Sequence, residues 1–144
     1  MIILSFQTAG HELTGKRQEM MIKKTIPINL THTKTNRVRK KDLASSYGSG
    51  AVDVLATPAM IAFMEAAALE SVDPYLMDDA TTVGGYIAVK HLKPTPLKAT
   101  VTTTAIVTAV EGRKIVFYVE AYDDEAKIGE GVHHRFVVLK NKFK

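Results

Sequence analysis

Glu65 is the single charged residue in the stretch 58–69 (PAMIAFMEAAAL). A segment of that length, apolar on every side, reads as a buried helix. Burying a carboxylate costs several kcal/mol unless it is paired or protonated. Such a group resists ionisation, which brings it into the range of a general base near neutral pH. It can also act as a nucleophile and pass through a covalent acyl intermediate. The alternative is a structural carboxylate, tied up by hydrogen bonds or facing a subunit partner. Eight residues earlier stands Thr57, immediately before Pro58. A threonine there suits a helix N-cap, and proline suits the first turn, where its missing N–H costs nothing. Thr57 and Glu65 lie about 12 Å apart along a helix, too far for a direct hydrogen bond in one chain. A third candidate, His91, falls in a segment where Val83, Gly85, Ile87, Val89 and His91 alternate with other residues. That parity turns it toward the helix, where it is either a satisfied core histidine or a proton carrier.

The elements that position these residues follow from periodicity. Met20, Ile22, Ile26 and Ile28 share one parity and suggest a first strand. Residues 31–50 are polar and end in Ser45, Ser46, Tyr47, Gly48, Ser49 and Gly50, which reads as a loop. The helix follows, and Pro74 stops it. Everything after it reads as strand: 83–91, the β-branched run 101–110 (VTTTAIVTAV), 115–122 and 127–139. Glu111 and Gly112 make one tight turn and 123–126 another, so the last three strands are antiparallel neighbours. The result is an α+β chain: an antiparallel sheet of about five strands around one long helix. An open sheet of this kind leaves edges that a second copy often covers.

At 144 residues the chain is one ordinary domain, taken as 1–144, with 1–15 read as a poorly ordered leader. It has no cysteine, which excludes disulfides and thiolate chemistry and fits a cytoplasmic setting. No apolar run approaches the roughly 20 residues that span a membrane. The net charge of +4 is uneven: residues 1–44 carry nine Lys and Arg against three Asp and Glu, the rest ten against twelve. The excess concentrates in 34–41 (KTNRVRKK), either a solvated loop or a contact for phosphates. It lacks the interleaved aromatics that nucleic-acid binding would use, and no nucleic-acid partner is expected. His133 and His134 are adjacent in a strand, point to opposite faces and cannot share one ion, so no metal is expected.

Residues 54–65 (VLATPAMIAFME), 83–96 (VGGYIAVKHLKPTP) and 111–138, with Glu111, Gly112 and Arg113 at one end and Gly129, Glu130, Gly131, Val132, His133, His134 and Arg135 within it, carry a resemblance. Over 50–140 the chain resembles the hotdog-fold thioesterase superfamily, and within it the fluoroacetyl-CoA thioesterase-like group. The resemblance implies hydrolysis of an acyl-CoA thioester with no metal or redox cofactor, coenzyme A being part of the substrate. It implies a catalytic set at Thr57, Glu65 and His91, and a homodimer, in some members paired into a tetramer, with sites at the subunit interface. Gly84 and Gly85 either let backbone N–H groups approach the substrate carbonyl, as N–H groups at the helix N-terminus could instead, or mark a β-bulge or strand entry without chemistry; Arg135 or the 34–41 run would meet the anionic parts of the substrate. The fluoroacetyl-CoA enzyme has bulky aromatic lid residues before the helix; here that stretch is Gly48, Ser49, Gly50 and Ala51. Fluoroacetyl-CoA itself is therefore not the expected substrate. The rival readings are a hotdog hydratase or dehydratase, which leaves the thioester intact, and a non-catalytic acyl-CoA binding module.

Overall fold

The computed structural model describes residues 1–5 and 21–143. Strands β1 (Ile2–Ser5) and β2 (Thr31–Arg37) precede helix α1 (Thr57–Val72). Strands β3 (Ala80–His91), β4 (Thr100–Glu111), β5 (Lys114–Tyr122) and β6 (Lys127–Leu139) follow it. All six form one antiparallel sheet in the order β1-β3-β6-β5-β4-β2. The hairpins β4–β5 and β5–β6 are those the turns require, and Gly112 takes φ 62° in the first. Helix α1 lies on one face of the sheet. The core between them is built from Met60, Met64, Ile115, Phe117 and Ile128, all fully buried. Among the described residues no helix is long and apolar enough to cross a membrane.

Three sequence expectations are corrected. The first long strand is not at 20–28 but at Thr31–Arg37, inside the stretch read as a loop. Of the earlier segment, Met20 lies outside the described residues and Ile22 makes only an isolated bridge to Leu76. Apolar parity missed β2 because its half-buried positions are polar. His32 and Lys34 both meet Glu70 of α1, the histidine at 3.0 Å. Lys34, and then His32, hold the Glu70 carboxyl below its ordinary value. Second, the segment read as a leader supplies β1, which brings the strands to six; the rest of that segment, 6–15, lies outside the described residues. Third, β3 does not keep one parity. A bulge between Gly84 and Tyr86 reverses it, so Val83 pairs with Phe136 on the outer face while Gly84 pairs with Arg135 on the helix face.

Candidate active site

The structure divides the expected catalytic residues into two groups. Thr57 and His91 meet: Oγ1 and Nδ1 are 2.7 Å apart. Thr57 is not the N-cap. Ala56 holds that position without a side-chain bond, and Thr57 opens the first turn of α1 with its hydroxyl spent on the histidine. His91 Nε2 is buried and has no hydrogen-bond partner among the described residues. Burial holds this imidazole below its ordinary value and so favours its neutral form. The pair lines a cavity of about 590 Å³ together with Val54, Ala56, Pro58 and Lys93.

Glu65 is elsewhere. Its carboxylate opens into a second cavity of about 230 Å³ with Gly84, Gly85, Ile87 and His133. Oε2 lies 3.8 Å from Nη1 of Arg135, an ion pair that does not close to hydrogen-bond distance. Within one chain the Glu65 side chain keeps 43% of its surface, so the expected burial of this carboxylate is not achieved by the chain alone. The reason is visible along α1. Pro58 and Ala62 are exposed and Glu65, Ala66 and Leu69 half-buried, forming a line that the described residues leave partly uncovered. That line is apolar apart from Glu65.

Arg135 is 5% exposed and points under the helix. Its Nε donates to Thr82 Oγ1 at 2.7 Å and its Nη2 to Thr82 O at 2.8 Å. Burial pushes its value down, opposed by the charges of Glu65 and Asp73. Gly84 stands close under the cluster: a Cβ there would lie 3.2 Å from His133 Cε1, 3.5 Å from Glu65 Oε2 and 3.6 Å from Arg135 Nη1, so a side chain would press on the histidine ring. Gly85 faces the other way, and a Cβ would strike the Phe136 ring at 2.3 Å. His133 and His134 do point to opposite faces: His133 is 1% exposed on the helix side, His134 stacks on Tyr86 at 4.5 Å outside. His133 is the residue of this cluster that sequence reasoning considered only as a metal ligand. Its position two residues before Arg135 on one strand face was the available signal.

Burial lowers His133 to about 4 from its ordinary 6.5. The unfolded chain therefore binds a proton between those values that the folded chain refuses. Stability is complete above pH 6.5 and falls as the pH drops toward 4, by about 3 kcal/mol from this residue. Urea unfolding at pH 7 and pH 4 measures it, and His133→Gln is expected to flatten the slope. An unchanged slope in that variant would assign the effect to other groups.

The 34–41 run is divided. Lys34 is spent on Glu70, while Arg37, Arg39 and Lys41 flank a cavity of about 190 Å³ with Asp42 and Phe63.

One helix against an open antiparallel sheet, with polar groups where α1 meets β3, defines the class: a hotdog-like α+β protein. Comparison bears this out. A hot-dog-like protein from Thermanaerovibrio acidaminovorans superposes with a TM-score of 0.74 at 26% identity, over 81% of this chain and 87% of that one. A point mutant of the fluoroacetyl-CoA-specific thioesterase FlK, in complex with fluoroacetate and CoA, superposes with a TM-score of 0.78 at 32% identity, over 83% of this chain and all of that one. The fluoroacetyl-CoA thioesterase of Streptantibioticus cattleyicolor is 40% identical over 91 residues, 63% of this chain and 66% of that protein's length. The family model for FlK, fluoroacetyl-CoA-specific thioesterase, matches residues 38–141. The chain belongs to this family of thioester hydrolases.

Proposed function

We infer that the protein hydrolyses an acyl-CoA thioester at a site shared between two copies of the chain. The observation that carries this reading is the placement of two half-sites on the helix side of β3, next to the edge strand β1. Thr57 and His91 form one, at the end of β3. Glu65, Gly84 and Arg135 form the other, seven residues back along β3, or about 20 Å of extended chain. Neither half holds both a carboxylate and the Thr–His pair. A two-fold pairing of β3 with its own copy, centred on Ala88 and with the bulge at Gly85 counted, sets His91 beside Gly84 of the partner subunit. Two complete sites then form, and the exposed line of α1 around Glu65 gains cover. Such a contact is self-complementary, as a two-fold interface must be.

In each shared site Glu65 activates water or attacks the thioester carbon itself. The carbonyl oxygen takes up negative charge and is met by backbone N–H groups at Gly84 and Gly85 and by Arg135. Collapse breaks the C–S bond, and the sulfur leaves with a proton supplied through His91, which Thr57 holds in place. Where water attacks, the products are the free acid and coenzyme A; where Glu65 attacks, coenzyme A leaves first and water then opens the acyl anhydride on Glu65 to give the free acid. The residues Arg37, Arg39 and Lys41 remain open for the phosphates of coenzyme A. The stretch before the helix carries no bulky lid, Gly48 standing at φ 65° with nothing within 4 Å of a Cβ built there, which argues against fluoroacetyl-CoA as the substrate. Incubation with short and aryl-acetyl CoA thioesters, followed by mass analysis, tests the reading. Free acid and coenzyme A support it. A hydrated or dehydrated thioester with its C–S bond intact assigns the hydratase instead, and binding without any conversion assigns a sensing module.

Strand β1 pairs Tyr86, Ile87, Ala88 and Val89, the same edge that the shared site requires. It holds that edge with four residues, and Ile3 and Leu4 stay more than half exposed. Deletion of residues 1–5 is therefore expected to strengthen self-association, read as a lower dimer dissociation constant by sedimentation. Weaker association would show that β1 supports the assembly rather than competing with it.

A further inference from the structure

Arg135 and Glu65 stand 3.8 Å apart, about an ångström short of closing into a hydrogen-bonded ion pair, and a third side chain accounts for the gap. His133 Nδ1 lies 2.8 Å from the carbonyl oxygen of Tyr86, and its Nε2 lies 3.2 Å from Arg135 Nη1. A carbonyl only accepts and a guanidinium only donates. Both contacts are made at once only by the neutral ring with its proton on Nδ1 and a lone pair on Nε2. Arg135 Nη1 thus gives one N–H to His133, while its Nε and Nη2 are fixed by Thr82. The other N–H of Nη1 is not taken by any hydrogen bond among the described residues. It borders the small space over Gly84 that the Glu65 carboxylate borders from the other side.

We propose that His133 is a positioning residue: by accepting from Nη1 it keeps the Arg135 guanidinium from closing onto Glu65. The carboxylate is left free to act on water or on the thioester, and one guanidinium N–H is left for the substrate. The proposal rests on the thioesterase reading for its consequence in turnover, but not for its geometry. Without the acceptor, Nη1 has both N–H groups to offer, the half-exposed Glu65 side chain closes onto it, and both groups are spent on one another.

Two near-isosteres separate this role from a merely structural one. His133→Gln places an amide oxygen near the Nε2 position and keeps an acceptor for Arg135. His133→Asn places an amide N–H near the Nδ1 position, keeps the bond to Tyr86 and offers Arg135 nothing. The expected result is kcat within about threefold of wild type for the glutamine variant. The asparagine variant should lose about 10²-fold in kcat, the usual penalty for a misplaced group, with KM little changed. The reverse order, or equal losses that follow the melting temperatures, would overturn the proposal. Ring nitrogen chemical shifts of the wild-type protein give a reading independent of turnover. A protonated Nδ1 and bare Nε2 at pH 7 support the tie to Arg135, and a proton on Nε2 overturns it whether or not thiol is released. Wild-type protein that releases no thiol from any acyl-CoA, yet carries the ring proton on Nδ1, overturns the thioesterase reading and upholds the tie.

Discussion

Glu65→Gln is expected to lower thiol release from acyl-CoA by about 10³-fold, while acyl-CoA binding stays within a few-fold of wild type. The amide keeps the size and the α1 backbone of the native residue. It cannot take a proton from water, and it is a far weaker nucleophile. The fold should not respond strongly. The carboxylate is 43% exposed and its approach to Arg135 is 3.8 Å, so its loss is worth at most about 1 kcal/mol of stability. Arg135 keeps its bonds to Thr82 and His133. Steady-state thiol release and a direct binding measurement on the same preparations check both halves. A variant that turns over at near wild-type rate would remove Glu65 from the chemistry.

Much of the fold was legible because its main elements follow simple periods. Helix α1 announced itself by an apolar run from Pro58 to Leu69 with Pro74 as its stop, and β4, β5 and β6 by β-branched alternation broken at Gly112 and at Asp123. What was missed departs from those periods for physical reasons. Strand β2 reads THTKTNR, because its half-buried face meets Glu70 of the helix rather than a purely apolar layer. The glycine pair offers a β-bulge as one of two readings, but residue alternation does not show that the bulge after Gly84 moves Val83 to the outer face.

The site was legible in part. Thr57 and His91 are 34 positions apart in the sequence and meet at 2.7 Å, an approach that periodicity alone leaves open. The separation of Thr57 from Glu65 followed from the rise of a helix, and the fold keeps them in different cavities. Glu65 was expected to be buried because its neighbours in the sequence are apolar. It is half open because the line from Pro58 to Leu69 is left partly uncovered by the described residues, although the carboxylate itself reaches Gly84 and Arg135. The cluster of Thr82, His133 and Arg135 was hidden, since it depends on the register that sets β3 against β6.

The shared site is tested most directly by mixing subunits. Thr57→Ala protein and Glu65→Ala protein are each expected to release thiol at a small fraction of the wild-type rate. In a dimer built from one of each, one site receives both substitutions and the other receives neither. Purified hybrid dimers, isolated through two different affinity tags, should therefore recover about half of the wild-type activity per dimer, with the wild-type KM. Hybrids that remain as inactive as their parents would contradict the account and place each site within a single chain.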